Sequence, residues 1–457
     1  MHVTTEDELR GGLAIGRQSF NLGGNTLTLE NVLAVVAGRT AEICNGTLRA
    51  NGQVGEGYAL QAHGGGRLVL TGVTMERTGV WCKGGEIILR NANVDKAPYS
   101  GLLSEWRNSH ITMIGGSISG SLENGVHCLK GGQATLESVA ISQCKKHGVF
   151  SKGKDADGTK SKATIIQGSI TGIHTGGQVQ VQIPPAGHGE GIAMTHLLSS
   201  LTPGSFYDGV CCESGGVADV RGANIAKSIR SGIYCNGSGS TATMYGGSIF
   251  NSALDGVTCM AGGFVELVGV AITRQQSGVT SYLRGSRVIV RAGSIMESRA
   301  HGVLCREGGV AEVRDVEIAG SVCSGVCSHG YSMNGHNSTV VVQGGSIRDS
   351  RSNGVLCFSS GRAHVLGVEI ADCVGNGVFT HGRGSLAYVR RGSIRGPNMF
   401  NGVACEKGGQ AFVEGVTVQN CTRYGLYCNG LSRLVESTFF QCYVSGCVRG
   451  RSNYFSY

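Results

Sequence analysis

Eighteen cysteines and thirteen histidines are the residues of this 457-residue chain whose chemistry needs explaining first. The cysteines return in one short unit: NGVHC at 124–128, DGVTC at 255–259, HGVLC at 301–305, NGVLC at 353–357 and NGVAC at 401–405. A cysteine at such a spacing serves as metal ligand, disulfide partner, redox thiol or filler. No Cys-x-x-Cys pair occurs, so the spacing of a structural zinc site is missing. The second group of candidates sits in an irregular stretch at about 172–208, which holds His174, His188, Glu190, His196 and Asp208. Imidazoles and carboxylates together suit acid–base or metal chemistry. Their spacing matches no metal motif, and Ile183, Leu197, Leu198 and Phe206 equip the same stretch to pack as a flap. The flap is the preferred reading over a catalytic lid, and no metal or cofactor is expected.

What positions these residues is a repeat. Gly-Val units start at Gly79, Gly101, Gly125, Gly148, Gly209, Gly232, Gly256, Gly278, Gly302, Gly325, Gly354, Gly377, Gly402 and Gly425. Each carries three short alternating segments separated by glycine or polar turns, which is strand and turn chemistry with no helical run. Three strands per unit, repeated in series, build one coil each of a solenoid. The expected fold is all-β: a single right-handed parallel β-helix of about 14–15 three-stranded rungs. Residues 1–56 form an N-terminal cap, 57–448 the β-helix with its insertion at about 172–208, and 449–457 a tail. Thr5 with Glu8 three residues on reads as a capping box opening a short helix over the first coil.

Side chains alternate along a strand, so the cysteine of each GVxC unit faces inward with its valine. That position runs Cys82, Ser104, Cys128, Ser151, Cys212, Cys235, Cys259, Ser281, Cys305, Ser328, Cys357, Thr380, Cys405 and Cys428. A second ladder sets Cys144, Cys373, Cys421 and Cys442 against Ser121, Ser252, Ser298 and Ser350. A buried free cysteine behaves as a small hydrophobe, so the repeating cysteine is read as core.

These GV…C rungs resemble the right-handed parallel β-helix superfamily (pectin-lyase-like), nearest to its short-repeat, non-secreted members. The resemblance spans residues 57–448 and implies the fold. It leaves activity open among lyases, hydrolases, epimerases, phage adhesins and scaffolds. Enzymes of the polygalacturonase type carry a Gly-His-Gly, which Gly187-His188-Gly189 matches, but the aspartates before it and the Arg-x-Lys after it are missing. Asp155-Ala156-Asp157-Gly158 resembles the start of a calcium loop without its later ligands.

The residue between valine and cysteine faces out. It reads Trp81, Leu103, His127, Phe150, Cys211, Tyr234, Thr258, Thr280, Leu304, Cys327, Leu356, Phe379, Ala404 and Tyr427, with no Asp, Glu, Lys or Arg. An uncharged stripe of this length marks an interface. The leading expectation is therefore a non-catalytic interaction protein that binds itself or another protein through that stripe. The alternative is a carbohydrate-active or glycan-binding protein for an acidic polysaccharide. Net charge of +8 is modest and does not point to nucleic acid. No stretch reads as a signal peptide or membrane span, and many cysteines without signs of secretion suggest a reducing, intracellular compartment.

Overall fold

The computed structural model describes residues 1–52, 54–172, 208–330, 337–429, 432–436 and 443–445. The chain winds as a right-handed parallel β-helix of about 15 turns. Every strand ladder in it is parallel and in register, with the same rung position meeting itself one turn on. Val126-His127-Cys128 lies against Leu102-Leu103-Ser104 on one side and Val149-Phe150-Ser151 on the other. Sixteen short strands, from Leu33–Val35 to Tyr424–Cys428, make one narrow sheet, and the second and third strands of each rung make a broad sheet. On several rungs those two fuse into one bent ten-residue strand, such as Arg67–Glu76 or Gln410–Gln419.

Coiling starts ahead of residue 57. Leu33–Val35 pairs with Leu60–His63, and Thr40–Ala50 pairs with Arg67–Glu76, so the first irregular strands of the cap region already belong to the two sheets. Over them lies helix α1 (Glu6–Ala14) with the expected capping box: the Glu8 N–H donates to Thr5 Oγ1 at 3.2 Å, and the Thr5 N–H to Glu8 Oε2 at 3.3 Å. Glu6 also accepts the Glu30 N–H at 2.7 Å, which ties the helix to the first coil. Leu9 and Phe20 are buried beneath it.

Inside the coil both predicted ladders are in place. Cys82, Cys128, Cys212, Cys235, Cys259, Cys305, Cys357 and Cys405 are buried, as are Cys144, Cys373 and Cys421. All cysteines among the described residues are free thiols, and burial pushes that of Cys128 up to about 12. Cys442 lies outside the described residues.

Serine stands on several rungs with a long turn after the narrow strand, although Cys235 precedes a turn of the same length, 237–240. Where serine is present, the inward hydroxyl donates to a carbonyl at the turn's far end: Ser104 to Ser109 O (3.1 Å), Ser151 to Ser161 O (2.9 Å), Ser281 to Ser286 O (3.2 Å) and Ser328 to Ser338 O (2.9 Å). Short Gly-Gly turns leave less unsatisfied backbone, and a thiol of similar size suffices.

The glycine ahead of each valine has no room for a side chain. A Cβ at Gly302 would lie 2.4 Å from Ile318 Cγ2 and 2.6 Å from the Gly325 carbonyl of the next rung. Gly302→Ala is therefore expected to destabilise by about 1–3 kcal/mol or more through overpacking. Cys305→Ala, which only opens a small void, costs about 1–2 kcal/mol. Denaturant melts of both variants check this, and the reverse order would contradict the packing account.

Candidate functional site

The stripe residues do project from the outer side of the narrow sheet, each beside its counterpart on the next rung. They are not an exposed face. Tyr234 and Leu304 are only 4% accessible, Leu103 and Thr280 are buried, and Trp81, His127, Phe150, Leu356, Phe379 and Tyr427 are half-buried. None of them is among the exposed large apolar side chains. The file is therefore partly accessible, with neighbouring polar side chains packed among its members. Phe150 lies between the rings of His127 (4.9 Å) and His147 (5.0 Å), and the Arg230 guanidinium sits 4.0 Å above the Tyr234 ring. Farther along, Phe358 lies between His329 (5.1 Å) and His381 (5.5 Å).

Much of that cover comes from the residue just before each Gly-Val glycine, a position the sequence reading passed over. Its side chain accepts the backbone N–H of the equivalent residue one rung on. The His147 N–H donates to Asn124 Oδ1 (3.2 Å), Asp208 N–H to His147 Nδ1 (3.2 Å) and Ser231 N–H to Asp208 Oδ1 (2.9 Å). The same bond joins Ser277 to Asp255 (3.2 Å), Ser324 to His301 (3.3 Å), Asn376 to Asn353 (3.0 Å) and Tyr424 to Asn401 (3.3 Å). In each case the rung before carries Asn, His or Asp, whereas Ser231, Ser277 and Ser324 make no such bond to Asp255, His301 and Asn353. The signal was legible as a column of Ser, Asn, His and Asp ahead of each Gly-Val.

On this ladder charge concentrates at one place. Asp208 and Asp255 stand two rungs apart, with Arg230 on the turn between them and Tyr234 beneath the guanidinium. Asp208 is fully buried and Arg230 is 6% accessible, whereas Asp255 is half-buried. Asp208 Oδ1 holds the Ser231 N–H, while its Oδ2 is buried without a hydrogen bond. Burial drives the Asp208 carboxyl up to about 6, against the opposing pull of Arg230 and the Ser231 N–H. Asp255, also raised by burial, accepts from Thr258 Oγ1 (3.1 Å), which in turn shares a hydrogen bond with Ser231 Oγ (2.9 Å). The Tyr234 phenol is pushed up to about 12 by burial and donates to Met260 Sδ at 3.0 Å.

Asp208 is thus the one insertion candidate the structure places, and it lies beside the stripe residue Cys211 and acts electrostatically on Tyr234. His174, His188, Glu190 and His196 lie outside the described residues. A metal would find His147, Asp208 and Cys211 with ligand atoms within 4.8 Å of one another. The set fits one poorly. His147 Nδ1 already accepts an amide proton, burial raises the Cys211 thiol well above its usual range, and the Arg230 charge acts on both Asp208 and Cys211. The Asp155–Asp157 turn is likewise committed: Asp157 pairs with Arg107 at 2.6 Å and Asp155 accepts the Ala156 N–H at 2.7 Å.

No protein-family model matches the chain, and no curated protein matches it. Among solved structures it is similar to the periplasmic alginate epimerase AlgG, in a mutant form, at 10% identity over 76% of this chain and 77% of that one, with a TM-score of 0.47. It is also similar to a mannuronan C-5 epimerase A-module from Azotobacter vinelandii (13% identity, 97% and 93% covered, TM-score 0.33) and to the Dettilon tailspike protein (11%, 84% and 61%, 0.35). What the chain itself shows is a parallel β-solenoid of about 15 turns. Likeness at these identities speaks for fold alone. Among the described residues no helix is long and apolar enough to cross a membrane.

The buried histidines make stability depend on pH. Burial lowers His127 and His301 to about 4 and His147 to about 3, all below the ordinary value of 6.5. An unfolded chain takes up these protons first, so stability falls as pH drops from 6.5 towards 4. Asp208 works in the opposite sense, since its raised carboxyl penalises the folded state as pH rises from about 4 to 6. Asp255, also raised, adds to Asp208, but the three histidines outnumber the two aspartates, and melting temperature is expected to fall on the acid side. His301→Asn keeps an acceptor on the ladder and should flatten that limb; an unchanged pH profile would contradict the assignment.

Proposed function

We propose that the protein is a carbohydrate-active β-helix that binds an acidic polysaccharide over the outer side of the narrow sheet and acts on it at Asp208, Arg230 and Asp255. One observation carries this reading. The ladder needs only a neutral acceptor, which Asn124, Asn353 and Asn401 supply elsewhere. Two aspartates and a buried arginine on neighbouring rungs are a costly surplus for a scaffold. Groups with raised or lowered proton affinity gathered at one place are characteristic of sites that move protons.

The chemistry follows from the charges. Arg230 would neutralise the carboxylate of a uronic acid unit, which eases removal of the proton on the adjoining carbon. Asp208, fully buried and held near 6, exchanges its proton close to neutral pH with the groups around it and not with the sugar directly. Asp255 is the accessible member through which a sugar first meets the cluster. Two rungs, about 10 Å, separate the two aspartates along the axis. The same pair suits elimination, epimerisation or hydrolysis, and the product tells which. Self-association through the half-buried members of the stripe is the second reading.

A panel of uronic-acid polymers, with and without calcium, is expected to yield unsaturated products, new reducing ends or an altered uronate composition. Asp208→Asn retains the ladder acceptor and should lower kcat by about 100-fold or more, the scale of a lost acid–base group, without lowering the melting temperature at pH 7. Full activity in that variant, or neither binding nor turnover across the panel, would overturn the reading. A stable oligomer by solution mass would return weight to the interaction role.

A further inference from the structure

A second feature lies near the N-terminal end, on the edge where the narrow sheet turns into the broad one. Four successive turns there differ in length. Residues 36–39 and 106–109 form four-residue turns, while the two between them, 64–66 and 84–85, have three and two. The short pair leaves a notch across the edge, with walls three rungs or about 14 Å apart. Its volume is about 920 Å³, within the range of sites that hold a small ligand. The floor is Gly64, Gly65, Gly84 and Gly85. A Cβ built on Gly64 or Gly65 would meet nothing within 4 Å, so this space is open.

The lining is basic. Arg39, Arg67, Arg107 and His110 stand against the single carboxylate of Glu86. Arg67 pairs with Glu86 at 2.9 Å and Arg107 with Asp157 at 2.6 Å, both in exposed pairs that hold their partners weakly. Arg39 has no carboxylate partner among the described residues; its guanidinium makes one long hydrogen bond, 3.4 Å, to the Leu13 carbonyl. Trp106, 39% accessible, stands at the start of the far turn, outside the lining, with the Lys130 ammonium 4.0 Å over its ring.

We propose that this notch is a separate binding site for a short acidic segment of a polysaccharide. The substrate class rests on the preceding reading, whereas the site shares no residue with the Asp208 cluster. The width admits a single chain crossing the edge, and the arginines supply planar, two-pronged donors for successive carboxylates. Single-stranded nucleic acid is the competing polyanion. Its binding depends on several aromatic platforms in series, and no Phe, Tyr or Trp is among the described residues that line the notch.

The test is titration calorimetry with uronic acid hexasaccharides, using the Asp208→Asn protein so that turnover does not consume the probe. Arg39→Ala and Arg107→Ala are each expected to weaken binding about five- to ten-fold, as for loss of a charged hydrogen bond. The affinity of the parent should fall with added salt. Both arginines are exposed, so thermal melts should match the parent. Binding without turnover by the wild-type chain would uphold the notch and refute the catalytic reading. Turnover with unaltered affinity in both arginine variants would refute the notch alone. Failure of every acidic glycan to bind, or tighter binding of an oligonucleotide of equal charge, would overturn the notch as a polysaccharide site.

Discussion

The close approach at the glycine that opens each narrow strand governs the rest of this structure. At Gly148, Gly232, Gly278 and Gly325 an added Cβ would fall 2.2–2.3 Å from the Cγ2 of the isoleucine on the same rung's broad sheet, with the next rung's glycine carbonyl close behind. The coil is therefore pinched at this corner to the limit that backbone permits. The pinch locks each rung over the last, so that a branched apolar residue meets its like and a small Cys, Ser or Thr meets another in register. It also makes the preceding residue a turn position whose amide the sheet cannot serve.

That unserved amide explains the outer layer. On most rungs that follow an Asn, His or Asp, its partner is that side chain, and some of these side chains, such as His147, lie against the stripe. Ring contacts such as His147 on Phe150 arise where a ladder residue is large. Chemistry enters where the ladder uses aspartate in place of a neutral acceptor. Asp208 and Asp255 satisfy the same amides as asparagine would, with charge left over, and Arg230 lies near enough to act on both. Structural duty and proton affinity thus meet in the same side chains.

Much of the architecture was readable from spacing. The inward cysteines, the second ladder at Cys144, Cys373 and Cys421, and the capping box at Thr5 and Glu8 all follow from local rules of alternation and helix ends. The candidate site was not, apart from Asp208. Arg230 and Tyr234 are ordinary residues in the sequence, four apart in a turn and strand, and Asp255 looks like any turn aspartate. They become a site because neighbouring rungs place side chains about 5 Å apart that are some twenty-five residues apart in the chain.

The sequence by itself determined a parallel solenoid with small residues inside, because strand alternation and turn glycines act within a few residues of each other. It also determined which way Leu304 and its counterparts point. Only the tertiary structure decided whether what points outward is exposed. Accessibility depends on what the next rung's turn lays over a strand, and turn lengths set that cover. The same lengths, four, three, two and four at the N-terminal end, open a basic notch where no motif announces one. Burial and charge proximity are properties of stacked rungs, and a single rung carries no record of them.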